Sequence, residues 1–218
     1  MSKKEHSLLV NEIFVSIQGE STYAGIPCIF VRLTGCNLRC SYCDTVYAYS
    51  EGSAMSLEEI LSRVRGYEPR NVCITGGEPL LQENISKLIN LLKKDHFNVY
   101  IETNGSQNIG ILPKGIVRVV DIKCPDSGMD QEMDWQNIER LNSRDEVKFI
   151  ISSKRDYEWA KGVTVKYRIV DRVTVLFGLV HGKLKPKTIA GWILKDGLDV
   201  RLQLQLHKII WPDKTSGV

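Results

Sequence analysis

The sequence predicts an α/β fold, an open partial (β/α) barrel with a mainly parallel sheet. Short apolar runs rich in Val and Ile recur along the chain and are typical of strands buried on both faces. Helix-like segments separate these runs, and such alternation with short connections favours right-handed crossovers and parallel pairing. Seven runs are too few for a closed eight-stranded barrel, so we expect the sheet to stay open.

The predicted strands follow one another from residue 28 onward. They are Cys28–Leu33, Val72–Thr75, Asn98–Glu102, Val117–Ile122, Val147–Ile151, Arg172–Phe177 and Val200–Leu206. Ligands of open parallel sheets gather at the carboxyl ends of the strands. A polar motif that directly follows a strand is therefore a candidate functional site.

Helix-start signals lie between the strands. Ser56 followed by Glu59 forms a capping box, and Ser153 can cap a helix that should end near Gly162. Pro186 suits the first turn of a later helix. Four apolar residues at positions i, i+3, i+4 and i+7 mark one buried helical face, namely Ile85, Leu88, Ile89 and Leu92.

Composition limits the class of protein. The 218 residues are 43% hydrophobic and 25% charged, which indicates one folded domain over residues 1–218 and excludes disordered and fibrous chains. A net charge of +3 is too small to indicate nucleic-acid binding. No apolar run approaches the ~18 residues of a membrane span and no signal peptide is evident, so we expect a cytoplasmic protein.

The most informative motif is a cysteine triplet. Cys36, Cys40 and Cys43 have the spacing C-x3-C-x2-C directly after the first predicted strand, so three thiolates on one loop can converge on a metal centre. Structural zinc is one interpretation, but closed zinc sites usually take four ligands in two pairs. Three unrelated core thiols are another, although Arg39 and Asp44 make this loop polar. A [4Fe–4S] cluster held by three Cys would leave one iron open to another ligand.

A glycine-rich turn follows the second predicted strand. Gly76-Gly77-Glu78-Pro79 allows close approach of the backbone to a ligand, and its carboxylate could accept hydrogen bonds from an ammonium group. An ordinary strand-to-helix turn would explain the same glycines. Polar residues also end the next two strands, over 102–105 and 121–125, where they could bind a cofactor ribose or carboxylate or could simply be polar residues at the edge of the sheet.

The cysteine triplet and the Gly-Gly-Glu turn, in this order, resemble those of the radical S-adenosylmethionine superfamily. The resemblance implies that the open iron is chelated by S-adenosylmethionine and that a 5′-deoxyadenosyl radical carries the chemistry, so no side chain is expected to be catalytic. It implies cofactor contacts at Tyr42, Cys43, Asp44, Gly77, Glu78, Lys123, Cys124 and Pro125.

Three further features bear on the substrate. Gln18 and Glu20 offer donors and acceptors that could recognise the edge of a purine-like or pterin-like ring, unless they only form a polar turn. Arg32 lies within a buried strand and needs an anion, either a substrate carboxylate or an internal salt-bridge partner. Asp44-Thr45 could supply oxygen ligands for Mg²⁺ or merely cap the loop.

Together, the runs Phe14–Glu20, Val31–Thr45 and Thr75–Leu80 resemble the 7-carboxy-7-deazaguanine synthase family over nearly the whole chain. The family implies conversion of 6-carboxy-5,6,7,8-tetrahydropterin to 7-carboxy-7-deazaguanine and ammonia, in queuosine-type biosynthesis. The match assigns the three cysteines to the cluster and Thr45 to Mg²⁺. It assigns substrate contacts to Ile17, Gln18, Gly19, Glu20, Arg32 and Thr75.

The resemblance also implies partners. A flavodoxin or ferredoxin is the expected electron donor, and a homodimer is expected because open sheets expose edge strands that a second copy often covers. Lys123-Cys124-Pro125 departs from the Ser-Pro-Lys run of some family members. The main alternative is an activating enzyme for glycyl-radical enzymes, which shares the cysteine spacing but docks a protein. A non-catalytic zinc or iron–sulfur module is the third interpretation.

Overall fold

The computed structural model describes residues 6–218 and contains one nine-stranded sheet within them. The strands are β1 (Ser7–Ile17), β2 (Pro27–Leu33), β3 (Ser53–Ser56), β4 (Asn71–Gly76), β5 (Asn98–Thr103), β6 (Val117–Asp121), β7 (Glu146–Ile151), β8 (Thr174–Leu179) and β9 (Arg201–Gln203). Their order in the sheet is β3-β1-β2-β4-β5-β6-β7-β8-β9.

The sheet is mainly parallel and open. From β2 through β4 to β9 each strand pairs in parallel with the next, whereas β1 is antiparallel to both β2 and β3. Within residues 6–218 no ladder joins the end strands β3 and β9. All seven predicted strands are present, and the partial α/β barrel is confirmed.

Four strands differ from the prediction: β1 and β3 are not predicted, β8 lies two residues later than Arg172–Phe177, and β9 is shorter. Residues 12–17, expected to precede the first strand, belong to β1; a register shift between Val10 and Glu12 interrupts the period-two pattern that would reveal the strand. The last predicted strand, Val200–Leu206, is too long. The strand is only Arg201–Gln203. Leu and Gln alternate over residues 202–206, a strand-like pattern, but a helix begins at Leu206.

Six helices connect or follow the strands in the described residues: α1 (Leu57–Arg65), α2 (Ile85–Lys94), α3 (Asn137–Arg140), α4 (Lys154–Lys166), α5 (Pro186–Asp196) and α6 (Leu206–Ile210). The capping box of Ser56 and Glu59, the Ser153 cap and Pro186 in the first turn of α5 are confirmed. The predicted end near Gly162 is wrong. The helix continues to Lys166 because buried side chains on both sides of the glycine hold its inner face.

The main apolar core lies between the helices and the outer face of the sheet. Ile29, Val31 and Ile74 of the strands pack there with Ile60 of α1 and Leu88 of α2. On the opposite face a small cluster holds Phe14, Cys28, Phe30 and Cys73. Within residues 6–218, no helix combines the length and the apolar character needed to cross a membrane.

Candidate functional site

A cavity of about 510 Å³ opens at the carboxyl ends of the parallel strands. This is the edge at which open parallel sheets bind ligands. Strand ends and the segments after them supply Thr75, Gly76, Glu102, Thr103, Asn104, Asp121, Lys123, Lys148, Ile150, Leu179, Val180 and His181. The cavity is therefore built from β4 to β8 together and not from one loop.

The loop after β2 brings its three cysteines to this cavity. Cys36, Cys40 and Cys43 line it as free thiols, while the other cysteines of the chain are buried outside its lining. The loop is turned by a hydrogen bond from the Cys43 N–H to the Cys40 carbonyl, 3.2 Å. The Asn104 side-chain amide donates to Cys36 Sγ at 3.8 Å. These thiols are placed to act together on one group in the cavity.

The three cysteines are not arranged as a site for a single metal ion. Within residues 6–218, no three His, Cys, Asp or Glu side chains meet where one metal ion could sit. A closed zinc site needs four such donors around one ion. An iron–sulfur cluster takes each thiolate on a different iron, so its ligands do not have to meet at one point.

The Gly-Gly turn at the end of β4 is hydrogen-bonded to the start of the cysteine loop. The Gly77 N–H donates to the Leu33 carbonyl at 3.1 Å, and the Glu78 N–H donates to the Gly35 carbonyl at 2.7 Å. A Cβ added at Gly77 would lie 2.1 Å from the Gly35 oxygen and 2.9 Å from Cys36 Cβ. Gly77 is needed because two backbones meet there, and both Gly76 and Gly77 line the cavity.

Glu78 is placed differently from the expected cofactor contact. Its side chain is fully buried and outside the cavity lining, and its carboxylate accepts hydrogen bonds from Asn104 N–H (2.6 Å), Leu80 N–H (2.9 Å) and Thr103 Oγ1 (2.8 Å). Burial raises the pKa of Glu78, and these donors oppose the rise. The residue fastens the turn to the end of β5.

The three residues of the Lys-Cys-Pro run differ in whether they line the cavity. Lys123 lines the cavity, and its Nζ lies 3.0 Å from Asp121 Oδ2. Cys124 is buried in the core, and neither it nor Pro125 contributes to the cavity lining. The structure therefore offers only Lys123 of this run as a direct contact.

The segment after β1 forms the opposite side of the cavity. Glu20 accepts from Lys148 Nζ (2.7 Å) and Gln205 Nε2 (2.8 Å). Burial alone would raise the pKa of Glu20, but Lys148 and the hydrogen bonds lower it to about 2, so the group is a carboxylate at neutral pH. Gln18 is buried; its Nε2 donates to Glu102 Oε1 at 3.5 Å.

The C-terminal segment packs onto this side. The Leu206 N–H donates to the Gly19 carbonyl at 3.0 Å, and a Cβ at Gly19 would lie 2.2 Å from His207 Nδ1. Gly19 is therefore needed for close approach of two segments nearly 190 residues apart in sequence. Burial lowers the pKa of His207, which favours its neutral form.

Arg32 makes an internal salt bridge and also faces the cavity. Its Nε donates to Glu12 Oε1 at 2.7 Å, so the internal salt bridge is present. Its side chain lines the cavity, and within the described residues its Nη nitrogens have no hydrogen-bond partner. The guanidinium can therefore still bind an anion with its outer edge.

Thr45 lines the same cavity beside the cysteine loop. Its hydroxyl donates to Asp44 Oδ1 at 3.0 Å, and Lys208 Nζ lies 3.2 Å from Asp44 Oδ2. Since the proton of Thr45 points to Asp44, the lone pairs of Oγ1 are left for another donor or a cation.

Sequence reasoning missed Lys148, Gln205 and His181, which all line the cavity. Lys148 carried a usable signal, because a lysine inside the buried strand Val147–Ile151 needs an anionic partner just as Arg32 does. Gln205 and His181 carried none, since their positions depend on how distant segments meet. The sequence indicates Glu102 and Asp121 only as polar residues at the ends of strands.

Comparisons with known proteins show the family of the chain. The Radical SAM superfamily matches residues 30–118. The 7-carboxy-7-deazaguanine synthase of Koribacter versatilis is 42% identical over 96% of this chain and 99% of its own length. That of Chlorobaculum tepidum is 43% identical over 98% of this chain and 99% of its own length.

Solved structures agree on the fold. The crystal structure of QueE from Escherichia coli covers 92% of this chain and 95% of its own, with a TM-score of 0.76 and 26% identity. Streptococcus suis SuiB bound to precursor peptide SuiA covers 82% of this chain and 48% of its own, with a TM-score of 0.55 and 15% identity, a likeness of fold alone. On the near-full-length matches, the chain belongs to the 7-carboxy-7-deazaguanine synthase family of radical S-adenosylmethionine enzymes.

Proposed function

We propose that this protein converts 6-carboxy-5,6,7,8-tetrahydropterin to 7-carboxy-7-deazaguanine and ammonia. One observation carries the proposal: the cysteine loop faces the Gln18, Glu20 and Arg32 side chains across a single cavity. Radical chemistry and recognition of a polar heterocycle can then occur side by side. The relatives that this chain resembles are named 7-carboxy-7-deazaguanine synthase, a name that gives the proposed product.

The donor set fits the cofactors that the family implies. Cys36, Cys40 and Cys43 would hold a [4Fe–4S] cluster, because three thiols line the cavity and no fourth cysteine of the chain does. S-adenosylmethionine would lie beside Tyr42, Gly77 and Lys123. With these groups bound, the site would have the chemistry of a 5′-deoxyadenosyl radical at its disposal. The protein's own contribution is orientation, electrostatics and exclusion of water.

The polar side chains would orient the pterin. Ionised Glu20 and the amide of Gln18 can accept and donate hydrogen bonds at the ring edge, and the free edge of Arg32 can bind the substrate carboxylate. Thr45 Oγ1 would be one ligand of Mg²⁺, with the substrate and water as the others. The segment after Gln205 covers this side and would keep water out.

The decisive experiment is anaerobic turnover by the cluster-loaded protein, followed by the absorbance of the deazapurine product. The activating-enzyme alternative predicts no pterin turnover and a glycyl radical on a partner protein. It leaves the buried Glu20–Lys148 pair without a use, so we do not favour it. Failure of every pterin tested would overturn the proposal.

The electron donor and the assembly belong to the same proposal. A flavodoxin or ferredoxin would reduce the cluster, and the chain would act as one domain. The two end strands, β3 and β9, each keep one unpaired side in the described residues. Such edges are often covered by a second copy, which supports a homodimer.

Arg32→Lys is expected to raise KM for the pterin about tenfold or more, because lysine keeps the charge but loses the planar pair of donors. Steady-state turnover measures this, with Arg70→Lys, outside the cavity lining, as the control. A pterin lacking the carboxylate should bind both enzymes equally poorly. Wild-type affinity for that analogue would contradict the pairing.

Thr45→Val keeps the shape of the side chain but removes its oxygen, so we expect lower turnover and a weaker response to Mg²⁺. Cleavage of S-adenosylmethionine without substrate should not change, because the substrate completes the metal site. Iron content should match the wild type. If turnover changes neither when Mg²⁺ is removed nor in Thr45→Val, Thr45 is excluded as a ligand of Mg²⁺.

A further inference from the structure

Four charges of alternating sign, each on a side chain that lines the cavity, form a row along its wall. Glu20 Oε2 lies 2.7 Å from Lys148 Nζ, which lies 3.6 Å from Asp121 Oδ2, which in turn lies 3.0 Å from Lys123 Nζ. The four side chains are between 8% and 15% exposed. Charges at this depth interact more strongly than surface charges because water screens them poorly.

The row joins the two halves of the proposed site. Glu20 belongs to the segment proposed to bind the pterin, and Lys123 is the only residue of its run that faces the proposed S-adenosylmethionine side. Lys148 and Asp121 lie between them as register partners on the adjacent strands β7 and β6. A change at Lys123 can therefore reach Glu20 through these two residues alone.

Each of the two inner residues of the row, Lys148 and Asp121, lies close to two groups of opposite charge. Lys148 lies close to two carboxylates, and Asp121 lies close to two ammonium groups with a single oxygen, Oδ2. Its Oδ1 is buried without a hydrogen-bond partner in the described residues. A change in what holds Lys123 therefore alters how firmly Asp121 binds Lys148, and hence how firmly Lys148 holds Glu20.

We propose that Lys148 and Asp121 are positioning residues that make S-adenosylmethionine and the pterin bind cooperatively. This inference rests on the proposed function. An acidic group of the cofactor that approaches Lys123 competes with Asp121 for the ammonium, and Asp121 then turns toward Lys148. Glu20, now held less firmly, gains acceptor capacity for the N–H groups of the pterin. Binding of either ligand favours the other by the same factor.

Equilibrium binding of the pterin tests this, measured on cluster-loaded protein with the cluster oxidised so that nothing is turned over. In the wild type, saturating S-adenosylmethionine should tighten pterin binding about tenfold. In Asp121→Asn the cooperative gain, taken as the ratio of pterin affinities with and without the cofactor in the same variant, should fall below about twofold.

Asp196→Asn is the matched control. Asp196 Oδ2 lies 2.8 Å from Lys161 Nζ and its side chain is 19% exposed, close to the 3.0 Å and 15% of Asp121, but it is outside the cavity lining. This variant should keep the full cooperative gain. If Asp121→Asn does not load its cluster, Lys148→Gln removes the neighbouring charge and should also abolish the gain.

The failures are distinguishable. Absence of pterin binding in the wild type, with or without the cofactor, would overturn the proposed function and this inference together. Pterin binding without any cooperative gain in the wild type would overturn the inference alone. So would a full cooperative gain in cluster-loaded Asp121→Asn or Lys148→Gln, since the gain would then pass by another route.

Discussion

Replacing Cys36, Cys40 or Cys43 by alanine is expected to abolish the brown cluster absorbance and the cleavage of S-adenosylmethionine. Each thiolate would ligate a separate iron of the proposed cluster, and the cavity lining offers no other cysteine to take its place. Turnover should therefore fall below detection and not merely decline. Iron and sulfide content, absorbance and anaerobic 5′-deoxyadenosine formation measure the effect.

Cys28→Ala and Cys73→Ala are the controls. Both thiols are fully buried on the inner face of the sheet, outside the cavity lining, so their loss removes only a small buried group. These variants should melt at a slightly lower temperature and keep full iron content. A triple variant of the loop cysteines that still binds about four irons per chain would overturn the assignment.

Local sequence signals predicted the parts of the fold that depend on local order. The buried strands, the Ser56 capping box and the cysteine spacing each use residues near one another in sequence, and each was predicted. β1 was missed because its register shift hides the alternation. The helix α4 continues past the predicted stop at Gly162, because a glycine on an exposed helix face lowers stability without ending the helix.

The site was predicted in its chemistry better than in its contacts. Glu78 has a residue type suited to an ammonium group, yet three neighbouring donors use its carboxylate. Lys148 shows the converse, since its partners Glu20 and Asp121 come from other strands and segments. Such pairings depend on sheet order, which a local pattern does not contain.

Gly77→Ala is expected to lose most of its iron–sulfur cluster, although Gly77 itself supplies no atom that would ligate iron. The added Cβ would lie 2.1 Å from the Gly35 oxygen, closer than real contacts allow, and 2.9 Å from Cys36 Cβ. Backbone atoms cannot move away at the low energetic cost that the end of a flexible side chain can. Either β4 or the cysteine loop must shift, and the hydrogen bond from the Glu78 N–H to Gly35 would be strained.

Steric overlap, and not backbone conformation, is the cause, because Gly77 is not among the glycines with positive φ. Gly162→Ala is the matched control: a Cβ there meets nothing within 4 Å, and alanine in the interior of α4 should stabilise the protein by about 0.5–1 kcal/mol. Gly77→Ala should lose iron and turnover, whereas Gly162→Ala should keep both and melt at a higher temperature. Full iron content in Gly77→Ala would mean that the cysteine loop does not depend on this contact for its position.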